Sequence, residues 1–254
     1  MAELVPNGDE QKSRAGGYSL DRRVALVTGA AGGLGKAIVR ELRERGADVH
    51  GADVAGEDVY HADLATPSGN RDMISHVLAS AGRLDILILN AGCQFVAPID
   101  QYPDTEWERL RGVMLDGPFF AIKAAWSTLT KSPAGRVVVT ASTASFLGSS
   151  GKAAYTAAKH GVLGLVRVAA LEGAPHGLTV NAVAPGWMDT GMMRDQLEVQ
   201  AASMGVSTDE VVARFRAAQP AKRFVDVREV AATIGFLVSP DASGVNGVCV
   251  PITS

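Results

Sequence analysis

Cysteine is nearly missing from this chain: Cys93 and Cys249 are the only two among 254 residues. Two are too few for a disulfide framework and lack the spacing of a metal site, so a reducing, cytoplasmic setting is expected. Long apolar runs are missing too, and none approaches the ~20 residues of a membrane span. No export signal is evident either. Neither sign of charge dominates, since 24 Lys and Arg stand against 27 Asp and Glu for a net charge of −3. Such a surface supplies no cationic field for phosphate backbones or anionic lipid, and neither nucleic acid nor membrane is expected as a partner. The five histidines, His50, His61, His76, His160 and His176, show no ligand spacing, so no metal is expected.

Glycine, by contrast, is plentiful. There are 28, about 11% of the chain against a usual ~7%, which calls for tight turns or close approach of backbone to a ligand. With 47% hydrophobic residues the chain can bury the core of one domain. Residues 1–20 open with a polar stretch and read as a flexible tail; residues 21–254 contain no linker or repeat and read as one domain.

Short β-branched runs alternate with longer amphipathic ones, the signal for βαβ units and a parallel sheet. Strands are expected at Val24–Val27, Asp48–Ala52, Val59–His61, Leu84–Leu89, Arg136–Thr140, Thr179–Val183 and Val248–Val250. Several are apolar throughout, which implies burial on both faces. Helical spacing recurs in Leu34, Ile38 and Leu42, in Ile74, Val77 and Leu78, and in Val162, Leu165 and Val166. The expected fold is therefore α/β, a single doubly wound Rossmann-type parallel sheet of about seven strands with helices on both faces. Residues 188–222 break the rhythm with Met188, Met192, Met193, Gly205 and Pro220, and read as a small lid inserted after a strand.

Directly after the first strand comes Thr28-Gly29-Ala30-Ala31-Gly32-Gly33-Leu34-Gly35, and a helix follows. Glycine backbone at a helix N-terminus lets a pyrophosphate reach amide groups where the dipole favours anions. A P-loop is excluded, because Gly35-Lys36 is followed by Ala37 where a Ser or Thr is required. A strict G-x-G-x-x-G is also missed. Eighteen residues beyond Gly35, the second strand ends at Asp53, whose carboxylate can accept both ribose hydroxyls and repel a 2′-phosphate, which favours NAD over NADP; the plainer reading is a polar strand end. Asp63 is a candidate for the adenine amino group, or equally an exposed turn residue.

Tyr155 and Lys159 lie four apart at the start of a helical stretch and project from one face. A free phenol titrates near ~10, too high for a base at neutral pH. A neighbouring ammonium, together with the positive ring of an oxidised nicotinamide, would lower that value and make the tyrosine a usable acid and base. Ser142, at the end of the fifth strand, can hold a substrate oxygen beside it.

Together these residues resemble the short-chain dehydrogenases/reductases, over residues 19–250. The resemblance rests on Thr28 with Gly29, Gly33 and Gly35, on Asp63, on Asn90-Ala91-Gly92, on Ser142, Tyr155 and Lys159, and on Pro185-Gly186 with Thr190. It implies that Ser142 orients a carbonyl, Tyr155 exchanges a proton, Lys159 binds the nicotinamide ribose and Thr190 holds the carboxamide. Leu34 and Leu64 join the implied cofactor contacts. It also implies a homotetramer with contact faces around residues 107–130 and 154–171. One member of the pattern departs: Met114 stands where the family usually carries an Asn of the proton relay, and a thioether cannot replace an amide there.

Within the family, residues 90–99 and 151–155 look most like the D-3-hydroxybutyrate dehydrogenase type. That likeness implies a carboxylate grip by Gln94, Lys152 and Gln196, with Trp187 flanking; Ala144 replaces an expected His and leaves space. The plainer reading makes Lys152 a solvated loop cation and the glutamines surface residues. The expected activity is NAD-dependent interconversion of a secondary alcohol and a ketone on a small 3-hydroxy or 3-oxo acid. Alternatives are a 3-oxoacyl carrier-protein reductase, a polyol or sugar dehydrogenase, or an NAD-binding scaffold without turnover, prompted by Met114 and Ala144.

Overall fold

The computed structural model describes residues 18–253. Most of the expected tail lies outside the described residues, but Tyr18 and Leu20 at its end are packed, contrary to expectation. Leu20 is buried and its amide donates to the Arg45 carbonyl at 2.8 Å. The Tyr18 ring lies 4.1 Å from the Arg45 guanidinium.

In chain order the elements are β1 (Val24–Thr28), α1 (Gly33–Glu44), β2 (Asp48–Asp53), β3 (Tyr60–His61), α2 (Pro67–Ala81), β4 (Ile86–Leu89), α3 (Asp104–Arg111), α4 (Gly117–Leu129), β5 (Arg136–Thr140), α5 (Ala153–Gly173), β6 (Thr179–Pro185), α6 (Gly191–Arg194), α7 (Leu197–Met204), α8 (Thr208–Ala218), α9 (Val227–Leu237) and β7 (Cys249–Ile252). The strands form one sheet in the order β3-β2-β1-β4-β5-β6-β7, parallel at every pairing. All seven expected strands are present among the described residues.

The period-two geometry of a strand divides each apolar run between two cores. In β1, Val24 and Leu26 face a layer built from Met73 and Val77 of α2, Ala121 and Leu129 of α4, and Val162 and Val166 of α5. Ala25 and Val27 face the other layer, with Ile38 and Leu42 of α1 and Ile234 and Leu237 of α9. β5 splits likewise, Val137 and Val139 to the first layer and Val138 to the second. Strands buried on both sides need no polar face, which is why these runs are apolar throughout. Truncating one such residue, as in Leu42→Ala, costs about 2–5 kcal/mol.

Chain order reverses between β1 and β4, so the loops at their carboxyl ends part and leave a crevice, the place where open α/β sheets bind ligands. The segment expected to be a lid holds three short helices, α6 to α8, with a small core of its own from Met193, Ala201, Val211 and Phe215.

Candidate active site

The crevice at the strand carboxyl ends has a volume of about 1010 Å³. Its floor is the glycine turn. Gly29 adopts φ +66°, and a Cβ there would lie 2.8 Å from Ala91 Cα; at Gly35 a Cβ would lie 1.9 Å from the Gly29 carbonyl oxygen. Only glycine fits both positions. Helix α1 starts without a side-chain cap and without an acid in its first turn. The amides of Gly33, Leu34 and Gly35 have no hydrogen-bond partner among the described residues, which leaves a patch of free donors at the positive end of the helix. These residues fit the diphosphate of a dinucleotide.

Asp53, Asp63 and Leu64 line the same crevice. Asp53 is tied to the turn, its Oδ2 accepting from the Ala31 amide at 3.0 Å and its Oδ1 from the Val54 amide at 2.7 Å. A carboxylate has lone pairs to spare after two such bonds, so ribose hydroxyls remain within its capacity. Asp63 accepts from the Ala65 amide at 3.0 Å. Ala91, Gly92, Pro185, Gly186 and Thr190 line the crevice as well. Thr28 does not, contrary to expectation. It is buried, its hydroxyl donating to the Ile88 carbonyl and accepting from the Asn90 and Ala91 amides. Asn90 lines the crevice, yet its side chain is occupied: Nδ2 donates to the Thr28 and Gly29 carbonyls, and Oδ1 accepts from Thr140. Both residues hold the glycine turn in place.

The structure brings Ser142, Tyr155 and Lys159 together on the crevice wall. Ser142 lies two residues beyond β5 and caps a short turn, accepting from the Ala144 amide at 3.1 Å. Tyr155 and Lys159 occupy the first two turns of α5. Lys159 is buried and donates to the Thr140 carbonyl at 2.6 Å, with its Nζ 5.7 Å from the centre of the Tyr155 ring. Burial pulls the Lys159 ammonium down to about 8. Burial also pushes the Tyr155 phenol up, opposed by a hydrogen bond with Ser142. The expected lowering by the lysine is therefore not present in the protein alone, because desolvation outweighs an ammonium committed to a backbone carbonyl.

Beside the triad opens a second cavity of about 240 Å³, lined by Gln94, Ser142, Ala144, Lys152, Tyr155, Trp187 and Gln196 among others. Lys152 is 6% exposed, so the solvated-cation reading fails. No carboxylate pairs with it among the described residues. Its Nζ lies 4.4 Å from the centre of the Trp187 ring, and burial pulls its ammonium down to about 8. Gln196 is buried too; its Nε2 donates to the Met192 carbonyl, and its Oε1 has no partner. Gln94 accepts from the Phe95 amide at 3.0 Å.

Sequence reasoning missed several residues. Arg109 lines the main crevice, held by Glu106 at 2.6 Å, with Val113 nearby. They come from α3 and the π-helical turn after it, and no spacing relates them to residues in the glycine turn. Cys93 lines it as well, with a thiol pushed up by burial, in keeping with a packing role. Met114 sits in the π-helical turn over residues 112–116, 1% exposed and packed with Leu110, Ala154 and Ala158. Its side chain seals that position with apolar atoms.

A parallel sheet with its glycine turn at the switch point, and a Ser, Tyr and Lys above it, defines a dinucleotide-binding oxidoreductase. The chain belongs to the short chain dehydrogenase family, which matches residues 23–201. It is 41% identical over 246 residues to an uncharacterized oxidoreductase of Bacillus subtilis, covering 90% of this chain and 96% of that protein. It is 35% identical over 244 residues to a D-beta-hydroxybutyrate dehydrogenase of Rhizobium meliloti, covering 89% and 95%. Among solved structures, an NAD⁺-bound xylitol dehydrogenase superposes with a TM-score of 0.86 at 30% identity, covering 92% of this chain and 98% of the other. The protein is an oxidoreductase acting on secondary alcohols and ketones.

Proposed function

We propose that the protein is an NAD-dependent dehydrogenase whose substrate is a small 3-hydroxy or 3-oxo acid. One observation carries the reading: a buried ammonium, Lys152, without a carboxylate partner among the described residues, in a cavity that it shares with Ser142 and Tyr155. A buried charge lacking a counter-ion is costly, and a ligand carboxylate would relieve that cost. The partnerless Gln196 Oε1 beside it marks another unmet polar group in the same cavity. The likeness to a D-beta-hydroxybutyrate dehydrogenase supports the same chemistry.

When bound, the dinucleotide supplies the hydride acceptor or donor. Gly33, Leu34 and Gly35 would hold its diphosphate and Asp53 its adenosine ribose, with Asp63, Leu64 and Ala91 to Gly92 around the rest. Asp53 is the reason for NAD: a carboxylate facing a 2′-phosphate is repelled, and the likeness to an NAD⁺-bound xylitol dehydrogenase agrees. Ser142 would hold the substrate oxygen and Tyr155 exchange its proton at Oη. Lys159, with two donors left after Thr140, would hold the nicotinamide ribose and favour the phenolate. Thr190, with Pro185 and Gly186, would hold the carboxamide. The helices α6 to α8 would act as a lid.

Exposed apolar residues on the expected contact faces, Trp107, Phe119 and Leu171, support a homotetramer. Both cysteines are unpaired, which agrees with a cytoplasmic setting. A panel of 3-hydroxy acids, diols, polyols and their ketones, assayed with NAD(H) and NADP(H), tests the proposal. Turnover of hydroxy acids with NAD⁺ is expected. Faster turnover of neutral substrates, or a preference for NADP⁺, would count against it.

A further inference from the structure

Trp187 is clamped from both sides. The Phe215 ring stacks on one face with centroids 3.8 Å apart and planes 9° from parallel. A ring at that distance leaves no room on its side, so the Lys152 ammonium, 4.4 Å from the Trp187 centroid, occupies the opposite face. The Trp187 backbone is fixed as well, its carbonyl accepting from the Val225 amide at 2.9 Å and from Gln219 at 3.4 Å. The Lys152 ammonium makes no hydrogen bond or ion pair among the described residues, so the negative face of the indole is what holds its charged end in place. Phe215 belongs to α8, lies in the small core of the lid region, and lines neither cavity.

We propose that Phe215 is a positioning residue for substrate selection: by backing Trp187 it holds Lys152 where a carboxylate is received, and so sets the preference for anionic over neutral alcohols. This rests on the carboxylate reading given above. The stack runs from α8 through Trp187 to the ammonium, so the seating of this helix reaches the anion site through two ring contacts. Without Phe215 the indole is free to tilt and the ammonium loses its fixed place, whereas the hydride and proton positions, built on β5 and α5, stay as they are.

The test compares Phe215→Leu, which keeps apolar bulk but removes the ring, with Phe215→Tyr, which keeps the ring. Each full-length enzyme is assayed with NAD⁺ on 3-hydroxybutyrate, as substrate or competitive inhibitor, and on 2,3-butanediol, with melting temperatures recorded. Phe215→Leu is expected to raise the KM or inhibition constant of 3-hydroxybutyrate by roughly fivefold while kcat and the butanediol KM stay unchanged, and Phe215→Tyr to restore it. Should Phe215→Leu not fold, Phe215→Met, whose flexible chain fills the same space, is read in the same way. An equal rise for both substrates would mean that Phe215 merely packs the lid and would overturn the inference, as would no change. Lys152→Met in the same assay separates the two levels. If that variant shows no acid-selective loss, the carboxylate reading fails; if it does and Phe215→Leu does not, only the role of Phe215 falls.

Discussion

Lys152→Met should make the protein worse at its proposed task and more stable. Burial brings the Lys152 ammonium from 10.5 to about 8, which corresponds to about 3 kcal/mol of penalty on the charged form at neutral pH. Methionine fills similar space without that penalty but forgoes the contact with the Trp187 face, worth about 1–2 kcal/mol when desolvated. A net gain of about 1–2 kcal/mol remains, or roughly 2–8 °C in melting temperature for a domain of this size. The pH dependence has a definite sign. Between about pH 8 and 10.5 the unfolded chain holds a proton at this position that the folded chain has lost, so the wild type gains stability relative to the variant as pH rises. The advantage of the variant should therefore be full below pH 8, gone by about pH 9 and reversed by about 10.5. In the kinetics, loss of a charge-assisted contact of about 1.5–3 kcal/mol should raise the KM of an acidic substrate roughly ten- to hundredfold and leave a neutral alcohol unaffected. For the wild type, the KM of the acid should climb above pH 8; Tyr155 is the only other titratable group lining that cavity among the described residues. Thermal melts at several pH values and initial rates on the two substrate types suffice. A variant that melts below the wild type at pH 7 would refute the burial argument, and an unchanged KM for the acid would refute the carboxylate grip.

Other substitutions probe the cofactor crevice. Asp53→Ala should raise the kcat/KM for NADP⁺ relative to NAD⁺ by tenfold or more, a shift of about 1.4 kcal/mol; an unchanged ratio would place the discrimination elsewhere. Gly35→Ala drives a Cβ to within 1.9 Å of the Gly29 carbonyl oxygen, so the turn must open. The expected outcome is loss of the rise in melting temperature that NADH confers on the wild type, and a retained rise would contradict the assignment of the turn.

All seven strands were legible because a parallel sheet covered on both faces leaves its apolar signature in consecutive residues, as in Val137 to Val139. Boundaries moved where the signal is mixed: β4 begins at Ile86 rather than Leu84, and β6 runs on to Pro185. The turn at 29–35 and the Tyr155–Lys159 pair were legible because each is local, fixed by spacing along a few residues. Thr28 shows where local reading stops. Its position at the end of β1 is evident, but only the fold reveals that its hydroxyl points to β4 and not into the crevice. Lys159 is similar, since its bond to Thr140 joins residues 19 apart that no pattern relates. The stack of Lys152, Trp187 and Phe215 brings together the residue before α5, the loop after β6 and helix α8, and is encoded only by tertiary packing.

The most direct test of the account is the rate of nicotinamide reduction by wild type and Tyr155→Phe, both first shown to bind NADH equally by fluorescence titration. With NAD⁺ and a 3-hydroxy acid, the wild type should turn over and the variant should lose at least a hundredfold in kcat, the usual worth of a positioned acid–base group. A variant as fast as the wild type, with binding intact, would contradict the assignment of proton transfer to this phenol.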